Sequence, residues 1–175
     1  MNRRGDWQQT YTGKQFWPLD PWPEEIDIID IAWSLSHQCR FLGHTSRFYS
    51  VAEHSVIVSR YCSQYPLEGL LHDSAEAYLS DIPRPLKPYL NGFREIEDNL
   101  LLAIFKKYGL SRPVPREVKR VDISILKDEQ EQLMPFPSEK WHQTTEPALG
   151  IKHRLGMEPK RAFYAFIQRF KGLTE

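Results

Sequence analysis

Two cysteines in 175 residues, Cys39 and Cys62, are too few for a disulfide framework, and their spacing matches neither a zinc knuckle nor a redox pair. Both read as buried thiols. Net charge is also missing: 23 basic and 23 acidic side chains cancel, which argues against stable nucleic-acid binding. No window approaches the roughly 18 apolar residues of a membrane span. The opening Met1-Asn2-Arg3-Arg4-Gly5-Asp6 is polar where a secretory signal would turn apolar. A cytoplasmic protein without membrane attachment is the expectation. Repeats and low-complexity tracts are absent as well.

Proline, at 13 residues, and tryptophan, at five, are plentiful and gather near the N-terminus and in the connections. The length suits one domain with a real core. Residues 1–23 read as an N-terminal arm, with a short hairpin or packed arm around Thr12-Gly13-Lys14. The aromatic side chains of this arm point to a homo-oligomer. A helical core follows over 24–133, then an irregular segment over 134–158 and a C-terminal helix over 159–175. Within the core, apolar periodicity predicts helices over 24–36, 50–64, 66–81, 93–108 (ending at Gly109) and 116–133. Pro135-Phe136-Pro137-Ser138 breaks the last of these. The fold class is all-α, a bundle of six to seven helices.

The chain is organised around Leu70-Leu71-His72-Asp73-Ser74-Ala75-Glu76-Ala77-Tyr78-Leu79-Ser80-Asp81, which reads as a helix but carries imidazole and carboxylates where an apolar face would continue. His72 and Asp73 diverge by about 100° on a helix and still reach one ion above its surface. Glu76 lies one turn beyond His72. Asp81 precedes Pro83-Arg84-Pro85, which stops the helix. His54 lies 18 residues before His72, and Asp122 sits on a helix well downstream. Two imidazoles and two carboxylates form a mixed nitrogen and oxygen set. It suits one borderline or fairly hard divalent cation (Co, Mn, Fe, Mg, Zn or Ni) and leaves room for water.

Ser50-Val51-Ala52-Glu53-His54-Ser55, the stretch from His72 to Asp81 with its Pro83-Arg84-Pro85-Leu86-Lys87 tail, and Val118-Lys119-Arg120-Val121-Asp122 resemble the HD-domain metal-dependent phosphohydrolases. The resemblance is closest to their small nucleotidase branch, which includes bacterial 5′-deoxynucleotidases and a phage dATP triphosphohydrolase. It covers roughly residues 28–129. It implies an HD-domain helical bundle with His54, His72, Asp73 and Asp122 as metal ligands. Glu76 and Asp81 are implied as the catalytic carboxylates, the division of labour between them left open. Arg40 falls where these enzymes bind phosphate, and Phe41 where an aromatic lines the nucleoside pocket. Lys87 and Lys119 add positive charge, Lys119 one turn before Asp122 and so expected to face the site. Pro85 is a further candidate for the base pocket. His44 is read as a substrate contact or as a hydrogen-bonded loop histidine.

The implied activity is hydrolysis of a small nucleotide substrate, foremost a deoxynucleotide 5′-monophosphate. A dNTP triphosphohydrolase is the nearest alternative, since the same cations serve either substrate. A non-catalytic nucleotide- or metal-binding HD sensor is the alternative of another class.

Overall fold

Ser50 accepts the amide of Glu53 and Asp27 that of Ile29, so each starts a helix where its short polar side chain can replace a missing turn. In the computed structural model, which describes residues 3–111, 113–136, 139, 141–142 and 144–175, seven α-helices follow in order. They are α1 (Ile28–His37), α2 (Val51–Tyr61), α3 (Pro66–Leu71), α4 (Glu76–Leu79), α5 (Phe93–Lys107), α6 (Arg116–Leu133) and α7 (Pro159–Thr174). Proline fills the first position of α3 and α7, where its missing N–H costs nothing. Helix α5 ends as its sequence demands: Gly109 takes φ +69°, and the amide of Leu110 turns back to the carbonyl of Phe105 at 2.8 Å.

The only sheet among the described residues is the N-terminal hairpin, β1 (Gln8–Gln9) against β2 (Gln15–Phe16), with Gln8 opposite Phe16. Its turn is anchored by Asp30 of α1, whose carboxylate accepts both the amide and the hydroxyl of Thr12. The mostly helical architecture and the hairpin agree with the sequence reading. None of the described helices is long and apolar enough to cross a membrane.

Two apolar cores share one wall. The larger packs Phe16 with Ile31 and Leu35 of α1, Leu70 and Leu71 of α3, Leu100 and Ile104 of α5, and Phe166 of α7. The smaller packs Val118, Val121 and Ile125 of α6 with Ile151 and Leu155. Helix α2 gives Val51, Ala52 and Val56 to the first and Ile57 and Val58 to the second, and is buried from Val51 through Ser59. A helix buried on every side holds its polar residues only if each finds a partner. Glu53 and His54 are two such residues.

The structure departs from the sequence reading in two places. The expected continuous helix over 70–81 is interrupted. α3 ends at Leu71, His72 to Ala75 form turns, and α4 starts at Glu76. Amides of Ser74, Glu76 and Ala77 bond three residues back, and the Ser74 hydroxyl takes the Leu71 carbonyl at 2.6 Å, tightening this stretch. The first helix starts later than residue 24, because Pro23–Glu25 is a separate 3-10 turn closed by the extended Ile26.

The segment over 134–158 contains no helix or strand among its described residues, yet it is tied down by side chains. Asp128 accepts the amides of Leu149 and Ile151, both at 2.7 Å, and Glu53 those of Gly156 and Met157. Gly156 has φ +103°, and a Cβ there would stand 2.6 Å from the Arg47 side chain, so only glycine fits. Met1, Asn2 and the Pro137-Ser138 part of the predicted helix break lie outside the described residues.

Candidate metal centre

Three helical elements converge where the two cores meet: α2 brings His54, the end of α3 brings His72 and Asp73, and α6 brings Asp122. His54 Nε2 stands 3.2 Å from Asp122 Oδ1 and 3.6 Å from Asp73 Oδ2, and His72 Nε2 stands 3.2 Å from Asp73 Oδ2. One ligand atom each from His54, His72 and Asp122 lies within 4.8 Å of the others, a group that can hold a metal ion.

The other ring nitrogens decide how the imidazoles point. His54 Nδ1 donates to Glu129 Oε1 at 2.8 Å, and His72 Nδ1 donates to the Gly69 carbonyl at 2.9 Å. With the proton committed to Nδ1, the lone pair of each neutral ring sits on Nε2, aimed at the carboxylates. Both Nε2 atoms are buried and lack a hydrogen-bond partner. Buried polar atoms left that way need an explanation, and a divalent cation suits the two imidazoles together with Asp122. The donor set fits a metal.

Electrostatics agree. Burial pushes the His72 imidazole down, but Asp73 and Asp122 outweigh it and hold its pKa well above the usual histidine value. Burial also opposes ionisation of Asp122, yet contact with His54 and His72 keeps its carboxyl well below the ordinary range. The cluster thus attracts positive charge, and a cation bound there would displace protons.

Beside this cluster opens a cleft of about 620 Å³. Arg40, Phe41, Asp73, Glu76, Asp81, Pro85, Lys87 and Asp122 all line it, so the structure brings together most of the residues named from sequence. The tightened turn sets Glu76 three residues from Asp73, the spacing at which side chains superpose in a 3-10 stretch. Burial, then the neighbouring Asp73 and Asp81 charges, push the Glu76 carboxyl well above its usual pKa. Burial raises Asp81 as well, against the pull of Arg40. Lys87 Nζ bridges Glu76 at 3.4 Å and Glu97 at 2.7 Å.

Two stretches of unusual backbone shape this wall. Ser80 takes φ 74° and ψ 155°, a region that side-chain-bearing residues rarely enter. The Gln38 side chain closes the turn, donating to the Glu76 carbonyl at 2.9 Å and accepting the Asp81 amide at 3.1 Å. Phe41 and Leu42 both have left-handed φ, 54° and 53°, directly after Arg40. Arg40 is buried, with Nη1 3.6 Å from Asp73 and Nε 3.4 Å from Glu129. The Phe41 ring lies 5.3 Å from that of Trp141.

Two expected contacts are not in the cleft. Lys119 is exposed and outside the lining, contrary to the sequence reading. The cleft-facing stripe of α6 runs Asp122, Leu126, Gln130 at four-residue steps, and its upstream member is the buried Val118. Lys119 lies off that stripe by about 60°. Arg84 supplies the cation instead, its guanidinium 3.1 Å from Asp122 Oδ2. His44 is also exposed and away from the lining, following the left-handed turn at Phe41 to Gly43. Sequence reasoning missed Gln38, Arg84, Glu129 and Trp141. Glu129 had one available signal, its position seven residues after Asp122 on the same helix, about two turns on.

No protein-family profile matches the chain. The uncharacterized protein YfdR of Escherichia coli (strain K12) is 37% identical over 169 residues, 95% of each chain. The uncharacterized protein RCAP_rcc00048 of Rhodobacter capsulatus is 34% identical over 145 residues, 74% of each. At that identity and coverage, this chain belongs to the family of YfdR.

Proposed function

We propose that the chain is an HD-type, divalent-metal-dependent phosphohydrolase that removes the 5′-phosphate of deoxynucleotides. One observation carries the reading. Two imidazoles, each with Nδ1 committed to an acceptor, turn buried Nε2 atoms without a hydrogen-bond partner toward Asp73 and Asp122, beside a cleft holding Glu76, Asp81, Arg40 and Lys87.

His54, His72, Asp73 and Asp122 would hold the ion. When bound, a divalent cation supplies Lewis-acid polarisation of a phosphoryl oxygen and lowers the pKa of a nearby water. Arg40 and Lys87 neutralise the remaining phosphate oxygens, the Arg40 guanidinium through its fork of donors. Phe41 and Pro85 face the nucleoside. Glu76 takes the proton of the attacking water as its oxygen bonds to phosphorus, a task for which burial and the Asp73 and Asp81 charges, which raise its pKa, make it a stronger base than an ordinary carboxylate. Asp81 delivers a proton to the departing sugar 5′-oxygen as the P–O bond breaks. One water is consumed, and a nucleoside and inorganic phosphate are formed.

A dNTP triphosphohydrolase is the second reading, favoured by Arg84, which makes three cations along one cleft and suits a longer phosphate chain. Chromatography of products decides between them, using protein loaded with Co²⁺ or Mn²⁺ and a panel of dNMPs, NMPs and dNTPs. Free phosphate from dNMPs supports the first reading, and nucleoside with intact triphosphate the second. No turnover with any metal overturns both and leaves a metal- or nucleotide-binding sensor.

A further inference from the structure

Glu129 takes no part in the mechanism above, yet its side chain is fully buried in the wall behind the site. One of its oxygens, Oε1, serves two neighbours: His54 Nδ1 at 2.8 Å and Arg40 Nε at 3.4 Å. These neighbours belong to different halves of the site. His54 turns its other nitrogen to Asp122 at 3.2 Å, and Arg40 extends its Nη1 toward Asp73 at 3.6 Å and into the cleft. The Tyr49 hydroxyl, also fully buried, adds a third neighbour. An ionised carboxylate in such a place is costly unless paired, and a core that needed only packing would use an apolar side chain.

We infer that Glu129 is a positioning residue that joins the metal half of the site to the phosphate half, fixing the His54 tautomer and the Arg40 guanidinium with one carboxylate. The inference rests on the metal-and-phosphate reading of the site. Hydrogen bonds behind a metal-bound histidine commonly contribute about 10–100-fold in metal affinity. Removal of Glu129 frees the His54 ring to take the wrong tautomer and leaves Arg40 without its anchor, so both affinities fall. Its amide isostere separates the two effects. Glutamine still presents an oxygen to the Nδ1–H of His54 but has no charge for Arg40.

The test is calorimetric titration of full-length protein with Co²⁺ alone, then of the cobalt-loaded protein with inorganic phosphate. Glu129→Leu is expected to lose about 10–100-fold in cobalt affinity. Glu129→Gln is expected to keep cobalt affinity within about threefold while phosphate affinity falls about tenfold, as for loss of the close charge partner that holds the guanidinium. Thermal melts establish that each variant is folded, and the isosteric Glu129→Gln decides alone if Glu129→Leu does not fold. Wild-type affinities for both ions in folded Glu129→Gln overturn the inference and leave the proposed function standing. Wild-type protein that takes up no cobalt overturns the proposed function together with the inference.

Discussion

The floor and the rim of the cleft are built differently. The floor is helical: His54, His72 and Asp122 sit on or at the end of packed helices, and each imidazole is fixed from behind by an acceptor. The rim is irregular. Phe41 and Leu42 hold left-handed φ, Arg84 to Leu86 form a turn, and Trp141 lies in a segment without helix or strand among its described residues. Geometry that must be kept within a fraction of an ångström belongs on rigid elements, whereas loops tolerate change and suit selection of a ligand. Chemistry should therefore fail with floor substitutions, and affinity should shift with rim substitutions.

The largest expected effects are on the floor. Asp73→Ala should abolish metal retention in elemental analysis, whereas Glu76→Gln should keep the metal and lower kcat by about 10²–10⁴-fold, the usual contribution of a positioned base. An active Glu76→Gln enzyme would break the comparison. On the rim, Trp141→Ala should raise KM about tenfold or more with kcat unchanged, since aromatic stacking on a base is worth about 1–3 kcal/mol. A fall in kcat instead would mean that Trp141 acts on the reacting atoms. Ser80→Gly should leave metal binding intact and raise stability by about 1 kcal/mol in urea melts, because glycine relieves the strained backbone at some entropic cost.

The smallest effect lies away from both regions. Glu117 accepts the Ser63 hydroxyl and the amides of Ser63, Gln64 and Tyr65. Partial burial would raise its pKa, but these hydrogen bonds lower it. A depressed carboxylate pKa adds stability that is complete above the unfolded value, about 4.3, and is lost as pH falls through the native one. Glu117→Gln should remove that portion of the acid dependence in pH-resolved melts without changing cobalt affinity.

Much of this molecule was legible in its sequence. The boundaries of α6 at Arg116 and Leu133 follow from Pro115 and the apolar stripe, and the hairpin follows from Thr12-Gly13-Lys14. His54, His72 and Asp73 stand out as ligand-type residues in largely apolar stretches, whereas Asp122 lies on a charged helix and was singled out by its place in Val118-Lys119-Arg120-Val121-Asp122. Glu129 did not, since it lies within Lys127-Asp128-Glu129-Gln130-Glu131, a run that looks like a solvated face. Only the packing of α6 against α2 turns that carboxylate inward. Lys119 failed for the opposite reason: three-residue spacing gives neighbourhood, but the stripe facing the cleft follows four-residue steps. Gln38 was invisible because it closes a turn 38 to 43 positions away.

The Glu53 clamp has a consequence for synthesis. Glu53 is fully buried beside His54 on α2, and its two donors, Gly156 and Met157, lie 103 and 104 positions downstream. A chain growing from the ribosome carries all four proposed ligands once Asp122 has emerged. The carboxylate next to His54 still lacks its partners at that point, and long-range contacts of this kind form late. A fragment that stops short of Gly156 would therefore carry the proposed ligands without the contacts that fix the carboxylate beside His54.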